Sequence, residues 1–369
     1  MKKIAIITIT EGSNYGNRLQ NFAAQSILKN LKFNVETLYN YYGKLSKFKF
    51  TYKKIKRLCK YQISPHILEK FINSNDKIYF ELKRNKAFED FNKKYIKFSK
   101  FEVSGNSISL KLNSYYDYFI CGSDQIWNPY YSESAYLYFL MFADHNKTIA
   151  FSPSMGISDF PQKMKINYIK WINHIKFLSV REKSGSKIIK NLTGRGAPVL
   201  VDPTLLLNKS DWLKISKVPK CKPKGKYILT YFLGEKLAEN TDRINYIASK
   251  NNLVVFNLLD ENDINKYSID PSEFIDLIKD ASLVCTDSFH GIVFSIIMKV
   301  PFIVFERKGK EVSMNSRIET LLNLFNLNSR LCGNVDLDNN LFYINYEGID
   351  AIIEKEKLKS ISYLKKALL

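Results

Sequence analysis

Short apolar runs recur along this chain, and several of them end in loops rich in glycine, hydroxyl or amide residues. Residues 3–9, 116–121 and 281–285 are runs of this kind, with the length and composition of buried strands. Between the runs lie segments whose apolar residues are spaced three and four apart, as on one face of a helix. Strands that alternate with helices along a chain predict an α/β fold.

The length of the chain predicts two domains. It has 369 residues, and a single core stops growing at roughly 250–300 residues. We predict an N-terminal α/β domain over residues 1–218, with a basic insertion at about 44–110, and a C-terminal α/β domain over residues 219–345. Residues 346–369 predict a lysine-rich helix that packs back on the N-terminal domain.

The insertion begins with a strongly basic stretch. Eight basic and no acidic residues lie between Lys44 and Lys60, interleaved with aromatic residues, in a chain of formal net charge +20. A solvated surface segment is one interpretation, and the other is contact with an anionic membrane surface, where each basic residue contributes ~1 kcal/mol. Because no zinc finger, RNA-recognition signature or helix-turn-helix pattern accompanies the charge, we do not expect a nucleic-acid partner.

Cysteine usage and hydropathy favour a cytoplasmic protein. The five cysteines are scattered and never form a C-x-x-C pair, which favours reduced thiols over a disulfide framework or a zinc site. The longest apolar run, residues 292–305, is interrupted by Lys299 and Pro301 and is too short to cross ~30 Å of hydrocarbon. We therefore expect a cytoplasmic protein without a bound metal, at most peripheral at the inner face of the membrane.

The stretch from residue 281 to residue 291 is the strongest candidate for chemistry. Its predicted strand ends in Thr286-Asp287-Ser288, residue types that favour turns and helix caps, and His290 follows at the start of the next apolar run. A strand–loop–helix unit places its loop at the carboxyl edge of a parallel sheet, where open α/β folds bind ligands. For His290 taken alone, a solvated histidine in an ordinary loop is the alternative.

Other predicted strands end in loops of the same character. Residues 11–17 form a glycine- and amide-rich loop before a helix, which leaves free N–H groups for an anion or for sugar hydroxyls. A plain strand–helix turn is the alternative for this loop. Asp124, Ser154 and Arg181 each follow a further predicted strand, and we expect such loops to lie where the sheet binds its ligand.

Six short motifs occur in order along the chain. They are Asn-Tyr-Gly-Asn (14–17), Gly-Ser-Asp-Gln-Ile-Trp-Asn-Pro (122–129), Ser-Val-Arg-Glu-Lys-Ser-Gly (179–185), Val-Asp-Pro-Thr (201–204), Thr-Asp-Ser-Phe-His-Gly (286–291) and Asn-Ser-Arg-Ile (315–318). Each motif alone is weak, but together and in this order they closely resemble the polysaccharide pyruvyl transferase family. The resemblance covers most of the chain and is weakest at 44–110 and after about residue 330.

The resemblance implies a fold and a reaction. The fold is a pair of Rossmann-like α/β domains facing across a cleft, as in the GT-B glycosyltransferases, with the acceptor on the N-terminal side and the donor on the C-terminal side. The reaction transfers the pyruvyl unit of phosphoenolpyruvate, as a cyclic ketal, onto a sugar of a cell-surface polysaccharide precursor. Phosphoenolpyruvate is then the donor substrate and no further cofactor is expected. The acceptor is a sugar or a lipid-linked oligosaccharide, and the oligomeric state is left open.

The resemblance also implies roles for individual residues. His290 matches the histidine of the family and is the candidate that protonates the methylene carbon of the donor. Arg181 matches an arginine that would clamp a carboxylate or phosphate. Asp124 is the candidate base, or the group that accepts a sugar hydroxyl. Because a helix N-terminus opposes protonation of His290, Asp287 or the bound anions would have to compensate.

One position departs from the family pattern. Many members have arginine where this chain has Ser288, and that arginine helps to bind the anionic groups of the donor. We expect Arg317, in the first turn of a predicted helix, to supply the missing cation, with Ser288 and Asp287 also at the donor. The candidates on the acceptor side are amide and hydroxyl side chains of the loops: Asn14, Asn17, Gln125 and Ser154.

Two other functions stay open. A GT-B glycosyltransferase that uses a nucleotide sugar would need the same fold and a cationic cleft for the diphosphate. An inactive relative that kept the fold would bind glycans, and the serine at position 288 is consistent with it. If no cation replaces the missing arginine, the donor is not phosphoenolpyruvate.

Overall fold

The computed structural model of the chain describes most of its residues. The described ranges are 1–41, 76–104, 107–109, 111–130, 135–235, 237–307, 316–337 and 341–369. The basic stretch between residues 44 and 60, for which membrane contact is predicted, lies outside the described residues.

The N-terminal half builds a six-stranded sheet. Its strands are β1 (Lys3–Ile7), β2 (Asn34–Tyr41), β3 (Phe98–Ser104), β4 (Ser107–Ile108), β5 (Tyr118–Cys121) and β6 (Thr148–Ala150). They lie in the order β4-β3-β2-β1-β5-β6, and all neighbours are parallel except β3 and β4. Parallel pairing places the carboxyl ends of the long strands at one edge.

Two extended segments continue this sheet beyond β6. Isolated parallel bridges join β6 to the segment at Phe177, and Val180 to Val199. Arg181 directly follows Val180, and Asp202 lies shortly after Val199. They therefore lie at the same edge as the loops after β5 and β6.

The C-terminal half builds a second, four-stranded sheet. Its strands are β7 (Tyr227–Tyr231), β8 (Val254–Asn257), β9 (Leu283–Thr286) and β10 (Phe302–Val304). They lie in the order β10-β9-β7-β8, and all neighbours are parallel. Together with the first sheet, this confirms the predicted fold class of two Rossmann-like α/β domains.

Helices connect the strands of both sheets and follow them. The α-helices are α1 (Tyr15–Asn30), α2 (Asp76–Tyr95), α3 (Leu112–Tyr115), α4 (Ala135–Tyr138), α5 (Lys165–His174), α6 (Lys183–Thr193), α7 (Lys209–Leu213), α8 (Ala238–Lys250), α9 (Ile264–Tyr267), α10 (Pro271–Lys279), α11 (Phe289–Met298), α12 (Ser316–Leu324) and α13 (Ile349–Leu368). Short 3-10 turns lie at His145–Lys147, Gln162–Met164, Pro203–Leu206 and Asn328–Arg330. Within the described ranges, no helix is long and apolar enough to cross a membrane.

The two domains share one continuous apolar core. Tyr15 of α1 stacks on Phe274 of α10, with ring centres 4.5 Å apart and planes 7° from parallel. Trp212 of α7 packs edge-on against Phe294 of α11 at 4.8 Å, and both side chains are fully buried. Such aromatic contacts are among the largest single contributions to a core. They hold the carboxyl edges of the two sheets in a fixed relation.

The C-terminal helix α13 packs on the N-terminal domain. The hydroxyl of Tyr363 donates to the backbone carbonyl of Ala150 at the end of β6, at 2.7 Å. Nζ of Lys2 donates to the carbonyl of Leu368 at 3.3 Å. The chain thus returns from the second sheet to the first at its end. The residues at which one domain passes into the next stay predictions.

Candidate active site

Loops from the two sheets meet in one buried cluster between the domains. The N-terminal sheet contributes Asp124, after β5, and Arg181 and Asp202, after the two bridged segments. The C-terminal sheet contributes His290, the second residue of α11, shortly after β9. Ligands of open α/β sheets bind at carboxyl edges, and here two such edges face each other.

Asp202 is the centre of this cluster and is fully buried. Its Oδ2 accepts hydrogen bonds from Nη1 of Arg181 at 2.7 Å and from the hydroxyl of Ser123 at 2.8 Å. Its Oδ1 accepts from the backbone N–H and the hydroxyl of Thr204, at 3.0 and 2.7 Å. Burial alone would raise the pKa of Asp202, but the neighbouring His290 and Arg181 lower it well below its usual range. The carboxylate is therefore charged at neutral pH.

Arg181 is buried between carboxylates and an aromatic ring. Its Nη2 lies 3.6 Å from Oδ1 of Asp124, and its guanidinium carbon lies 4.2 Å from the centre of the Phe289 ring. Burial lowers the pKa of this guanidinium, but the carboxylates of Asp202, Asp124 and Glu182 raise it above the ordinary value. Within the described part of the chain, Nε and Nη2 have no hydrogen-bond partner. Two adjacent donors are thus left for a ligand.

The imidazole of His290 lies between two groups of the N-terminal domain. Its Nε2 is 3.6 Å from Oδ2 of Asp202 and has no hydrogen-bond partner among the described residues. On the other side the ring lies against Gly16, so closely that a Cβ atom at that position would overlap Nδ1. Glycine permits this close approach of the helix backbone. The carboxylate that faces His290 therefore belongs to the other domain, and it is not that of Asp287.

Asp287 holds a loop of its own domain. Its carboxylate accepts hydrogen bonds from the backbone N–H groups of Leu233 and Gly234, both at 2.8 Å, and from Nε of Arg307 at 3.0 Å. These bonds fix the loop after β7 to the loop after β9. With its oxygens engaged in this way, Asp287 fixes the loops beside His290, and its contact with a donor stays a prediction.

Arg317 supplies a second guanidinium with a free donor. It is the second residue of α12 and only 7% exposed, and its Nε has no hydrogen-bond partner among the residues that the structure describes. Burial, and after it the positive charge of Arg181, lowers the pKa of Arg317 to about 10, so the group stays cationic at neutral pH. Ser288 caps α11 by accepting from the backbone N–H of Gly291 at 3.4 Å.

A cavity of about 340 Å³ opens beside the cluster. This volume falls within the ~300–1,000 Å³ of ordinary small-molecule sites. Leucine and valine side chains form much of the wall. The wall also contains four cationic side chains but only two carboxylates, those of Asp202 and Glu356. The cationic residues, which come from both halves of the chain and from α13, are Arg181, Lys183, Arg317 and Lys359. The excess of positive charge favours an anionic ligand.

A comparison with protein families bears directly on this cluster. The family model described as polysaccharide pyruvyl transferase matches residues 14–309. The chain belongs to the polysaccharide pyruvyl transferase family. It is therefore a transferase. Within the matched segment lie the residues Asp124, Arg181, Asp202 and His290, whereas Arg317 of α12 and the whole of α13 lie beyond it.

The predicted acceptor residues of this pyruvyl transferase family member lie on loops of the N-terminal domain, except Asn17, which lies in the first turn of α1. Asn14 caps α1 by accepting from the backbone N–H of Asn17 at 3.3 Å. The backbone N–H of Ser154 donates to the carbonyl of Asp124 at 2.7 Å, which joins the loops after β5 and β6. The backbone N–H of Gln125 donates to Oδ1 of Asp124 at 2.8 Å, so Gln125 belongs to the same joined loops. Their contact with an acceptor stays a prediction.

Three residues of the cluster lie outside the predicted set. Gly16 and Asp202 fall within motifs shared with the polysaccharide pyruvyl transferases, but their contacts with His290 depend on how the two domains pack, which spacing along the chain does not reveal. Arg307 could have been found from the sequence, because it follows β10 just as the predicted residues follow their own strands.

Solved structures of low similarity accompany the pyruvyl transferase match. A Listeria monocytogenes protein assigned as a UDP-N-acetylglucosamine 2-epimerase is 12% identical, with 98% of each chain covered and a TM-score of 0.43. The UDP-GlcNAc 2-epimerase of Neisseria meningitidis, solved with UDP-GlcNAc, is 10% identical over 97% of this chain and 100% of that chain, with a TM-score of 0.40. S. aureus TarM, solved as a mutant with UDP, is 11% identical over 99% and 97%, with a TM-score of 0.39. These TM-scores are too low for any inference about chemistry. A comparison with curated protein sequences finds no match.

Proposed function

We propose that the protein transfers the pyruvyl unit of phosphoenolpyruvate to two hydroxyl groups of a sugar, as a cyclic ketal, during synthesis of a cell-surface polysaccharide. The observation that carries the proposal is a pair of buried arginines, Arg181 and Arg317, which line one cavity together with Asp202, the carboxylate that faces the imidazole of His290 at 3.6 Å. A donor with two anionic groups and one protonatable carbon matches this arrangement.

The two anionic groups of the donor bind the two arginines. Nε and Nη2 of Arg181 are adjacent donors, a geometry that suits the paired oxygens of a carboxylate or phosphate. Nε of Arg317 adds a donor from the C-terminal half, in place of the arginine that many members of the family have at position 288. Since both guanidinium groups are buried, their charge is screened less than it would be in water.

The proton comes from the imidazole of His290, which lies beside the carboxylate of Asp202. As the methylene carbon of the donor takes this proton, the central carbon becomes electrophilic and an acceptor hydroxyl adds to it. Phosphate then leaves with the electron pair of its C–O bond, and a second hydroxyl adds to the same carbon and closes the ketal. The acceptor hydroxyls release two protons. One replaces the proton that the imidazole gave to the methyl group, and the other leaves with phosphate.

The acceptor binds on the side of the joined loops. Asp124 takes the proton of the attacking hydroxyl, and its carboxylate lies in contact range of Arg181, at 3.6 Å, so acceptor and donor meet across that guanidinium. Asn14, Asn17, Gln125 and Ser154 offer amide and hydroxyl groups to the other sugar oxygens. A lipid-linked oligosaccharide is the acceptor we favour, because the basic stretch between residues 44 and 60 would hold the protein at an anionic membrane.

Thermal stabilisation by candidate donors tests the donor directly. A ligand at 100 times its Kd adds ~2.7 kcal/mol to the free energy of unfolding, so we expect a clear rise in Tm with phosphoenolpyruvate and none with nucleotide sugars. Arg181→Met and Arg317→Met should lose the response. Arg195→Met is the matched control, since that guanidinium binds the backbone carbonyls of Ile172 and Ile175. A rise with a nucleotide sugar alone would reassign the protein to the glycosyltransferases, and a rise with glycans alone would make it a binding protein.

Phosphate release in the presence of a glycan acceptor tests the proton donor. We expect His290→Ala to abolish release while the circular dichroism spectrum stays unchanged. His145→Ala, at a histidine whose Nδ1 pairs with the backbone carbonyl of His174, is the control and should keep parental turnover. Equal turnover in the His290 variant and the parent would remove this imidazole from the reaction.

A further inference from the structure

The imidazole of His290 and the carboxylate that faces it come from different domains. His290 stands at the start of α11 in the C-terminal domain, and Asp202 follows the last bridged segment of the N-terminal sheet. Nε2 and Oδ2 are 3.6 Å apart, which is close enough for strong charge interaction and slightly too long for a hydrogen bond. The contact between the domains therefore supplies the carboxylate that faces His290.

Asp202 is held rigidly by its own domain. Donors of Arg181, Ser123 and Thr204 occupy its two oxygens, at distances from 2.7 to 3.0 Å. A carboxylate fixed by four hydrogen bonds does not turn to follow a partner that moves away. Its distance from His290 is thus set by how the C-terminal domain lies against the N-terminal domain.

The charged surroundings of His290 are simple in the described structure. Asp202 faces Nε2 at 3.6 Å, and Arg181 lies beyond it, over the ring of Phe289, which itself lies 5.2 Å from the imidazole. On the Nδ1 side lies Gly16, in the first turn of α1, whose positive helix end opposes a charge on the ring. Asp202 is the one of these groups that favours the charged imidazole.

We propose that Asp202 is a positioning residue: across the domain contact, its carboxylate orients the imidazole of His290 and interacts more favourably with the cationic ring than with the neutral one. The inference rests on the proposed role of His290 as proton donor, and it adds that the acid is completed by domain contact. The acid is therefore completed only where the two domains meet, which is also where the acceptor hydroxyl is expected to bind.

Nuclear magnetic resonance of the histidine rings tests this pairing without any enzymatic assay. The chain has four histidines, so the His290 signal can be assigned in the full-length protein by its loss in a His290→Gln variant. We expect the titration midpoint of His290 to move down by ~1 pH unit or more in Asp202→Asn, because an opposite charge within ~4–6 Å stabilises the cation by that much. Asp276→Asn, at a second buried aspartate that pairs with Lys279, should leave the midpoint where it is.

A second variant should move the titration midpoint of His290 upward, and it tests the same pairing if Asp202→Asn does not fold. Arg181→Met removes the guanidinium that neutralises Asp202, so the uncompensated carboxylate should raise the midpoint of His290. An unchanged midpoint in the folded variants overturns the proposal. So does a midpoint that moves as far in Asp276→Asn as in Asp202→Asn.

The same variants separate this inference from the proposed function. If Asp202 positions the acid, the alkaline limb of the kcat profile for phosphate release should move to lower pH in Asp202→Asn. A kcat that falls equally at every pH, with an unmoved limb, indicates a purely structural role and overturns the proposal. If the parent releases no phosphate from phosphoenolpyruvate, the function fails, while a shifted His290 midpoint still supports the pairing.

Discussion

His290 of the C-terminal domain lies directly against Gly16 of the N-terminal domain. A Cβ atom at position 16 would overlap Nδ1 of the imidazole, so the space for the ring is defined by the absence of a side chain. The backbone of the first turn of α1 therefore sets a steric limit on how far the imidazole extends into the cleft. Nε2 of the same ring lies 3.6 Å from Oδ2 of Asp202.

Replacing Gly16 by alanine should reduce activity without unfolding the protein. Alanine is a better helix former than glycine by ~1 kcal/mol, so α1 itself is not harmed. The added methyl group displaces the imidazole, and a displacement of about 1 Å in a catalytic group can cost about 100-fold in rate. Steady-state phosphate release measures the loss. Gly196→Ala, where no atom lies within 4 Å of the new Cβ, is the control. Parental kcat in the Gly16 variant would contradict the contact.

Arg84 of α2 should prove important for the stability of the domain arrangement. Its buried guanidinium donates to the carbonyl of Ser13 in one domain at 2.7 Å and to the carbonyl of Tyr267 in the other at 2.6 Å. We expect Arg84→Met to lower the free energy of unfolding by about 2–4 kcal/mol, because two buried carbonyl groups lose charge-assisted donors. Urea unfolding measures this loss. The neighbouring Lys83→Met should change stability by less than about 0.5 kcal/mol, and equal losses would refute the assignment.

Asp287→Ala should destabilise the C-terminal domain. The substitution leaves the N–H groups of Leu233 and Gly234 and the guanidinium of Arg307 without their acceptor. A cost of about 2–3 kcal/mol follows for partly buried donors of this kind. Chemical unfolding gives the value, and Asp350→Ala, at a side chain that is 69% exposed, should cost only ~0–1 kcal/mol. If both variants match the parent, Asp287 does not hold the loop.

Low pH should reduce the free energy of unfolding, in part because the carboxylate of Asp202 becomes protonated. The folded-state pKa of this carboxyl is depressed, so its contribution to stability is complete above the pKa of the unfolded chain, ~3.9. The contribution is lost as the pH falls from there through the lower folded-state pKa. Below about pH 4 the free energy of unfolding of the parent should therefore fall more steeply with decreasing pH than that of Asp202→Asn, by up to ~1.4 kcal/mol per pH unit. Parallel curves would show that Asp202 does not contribute in this way.

Neutralising the basic stretch should weaken membrane contact. We expect replacement of Lys53, Lys54, Lys56 and Arg57 by glutamine to reduce binding to vesicles that contain anionic lipid, since each basic residue contributes ~1 kcal/mol near the headgroups. Vesicle sedimentation at low and high salt measures the effect. Replacing Lys355, Lys357, Lys365 and Lys366 of α13, which are far from the basic stretch in sequence, in the same way gives a charge-matched control. Unchanged binding of the first variant would leave the stretch as solvated surface.

The sequence correctly predicts the features that depend on local residue patterns, namely the strands and the polar loops that follow them. Apolar runs and the polar loops that end them indicate where Asp124, Arg181 and His290 lie in the two sheets, and parallel topology then brings each to a carboxyl edge. The family motifs add the expectation that the two edges face each other. That much needs no knowledge of packing.

Contacts between domains are not predictable in this way. Asp287 is the neighbour of His290 in the chain, yet the loop turns it toward Leu233, and the facing carboxylate comes from residue 202. Arg84 reaches the interface from α2, in the weakly matching part of the chain. Such pairs depend on how surfaces far apart in sequence fit together, and a single sequence carries no record of that fit.

The stacking of Tyr15 on Phe274, described above as part of the common core, bears on how the protein can be dissected. A chain cut between the two sheets would expose these rings and their aromatic neighbours on both fragments, and large exposed apolar patches promote aggregation. Neither half should therefore survive expression by itself in soluble form. Exchange of one half between relatives should succeed only where the aromatic partners are exchanged as a set.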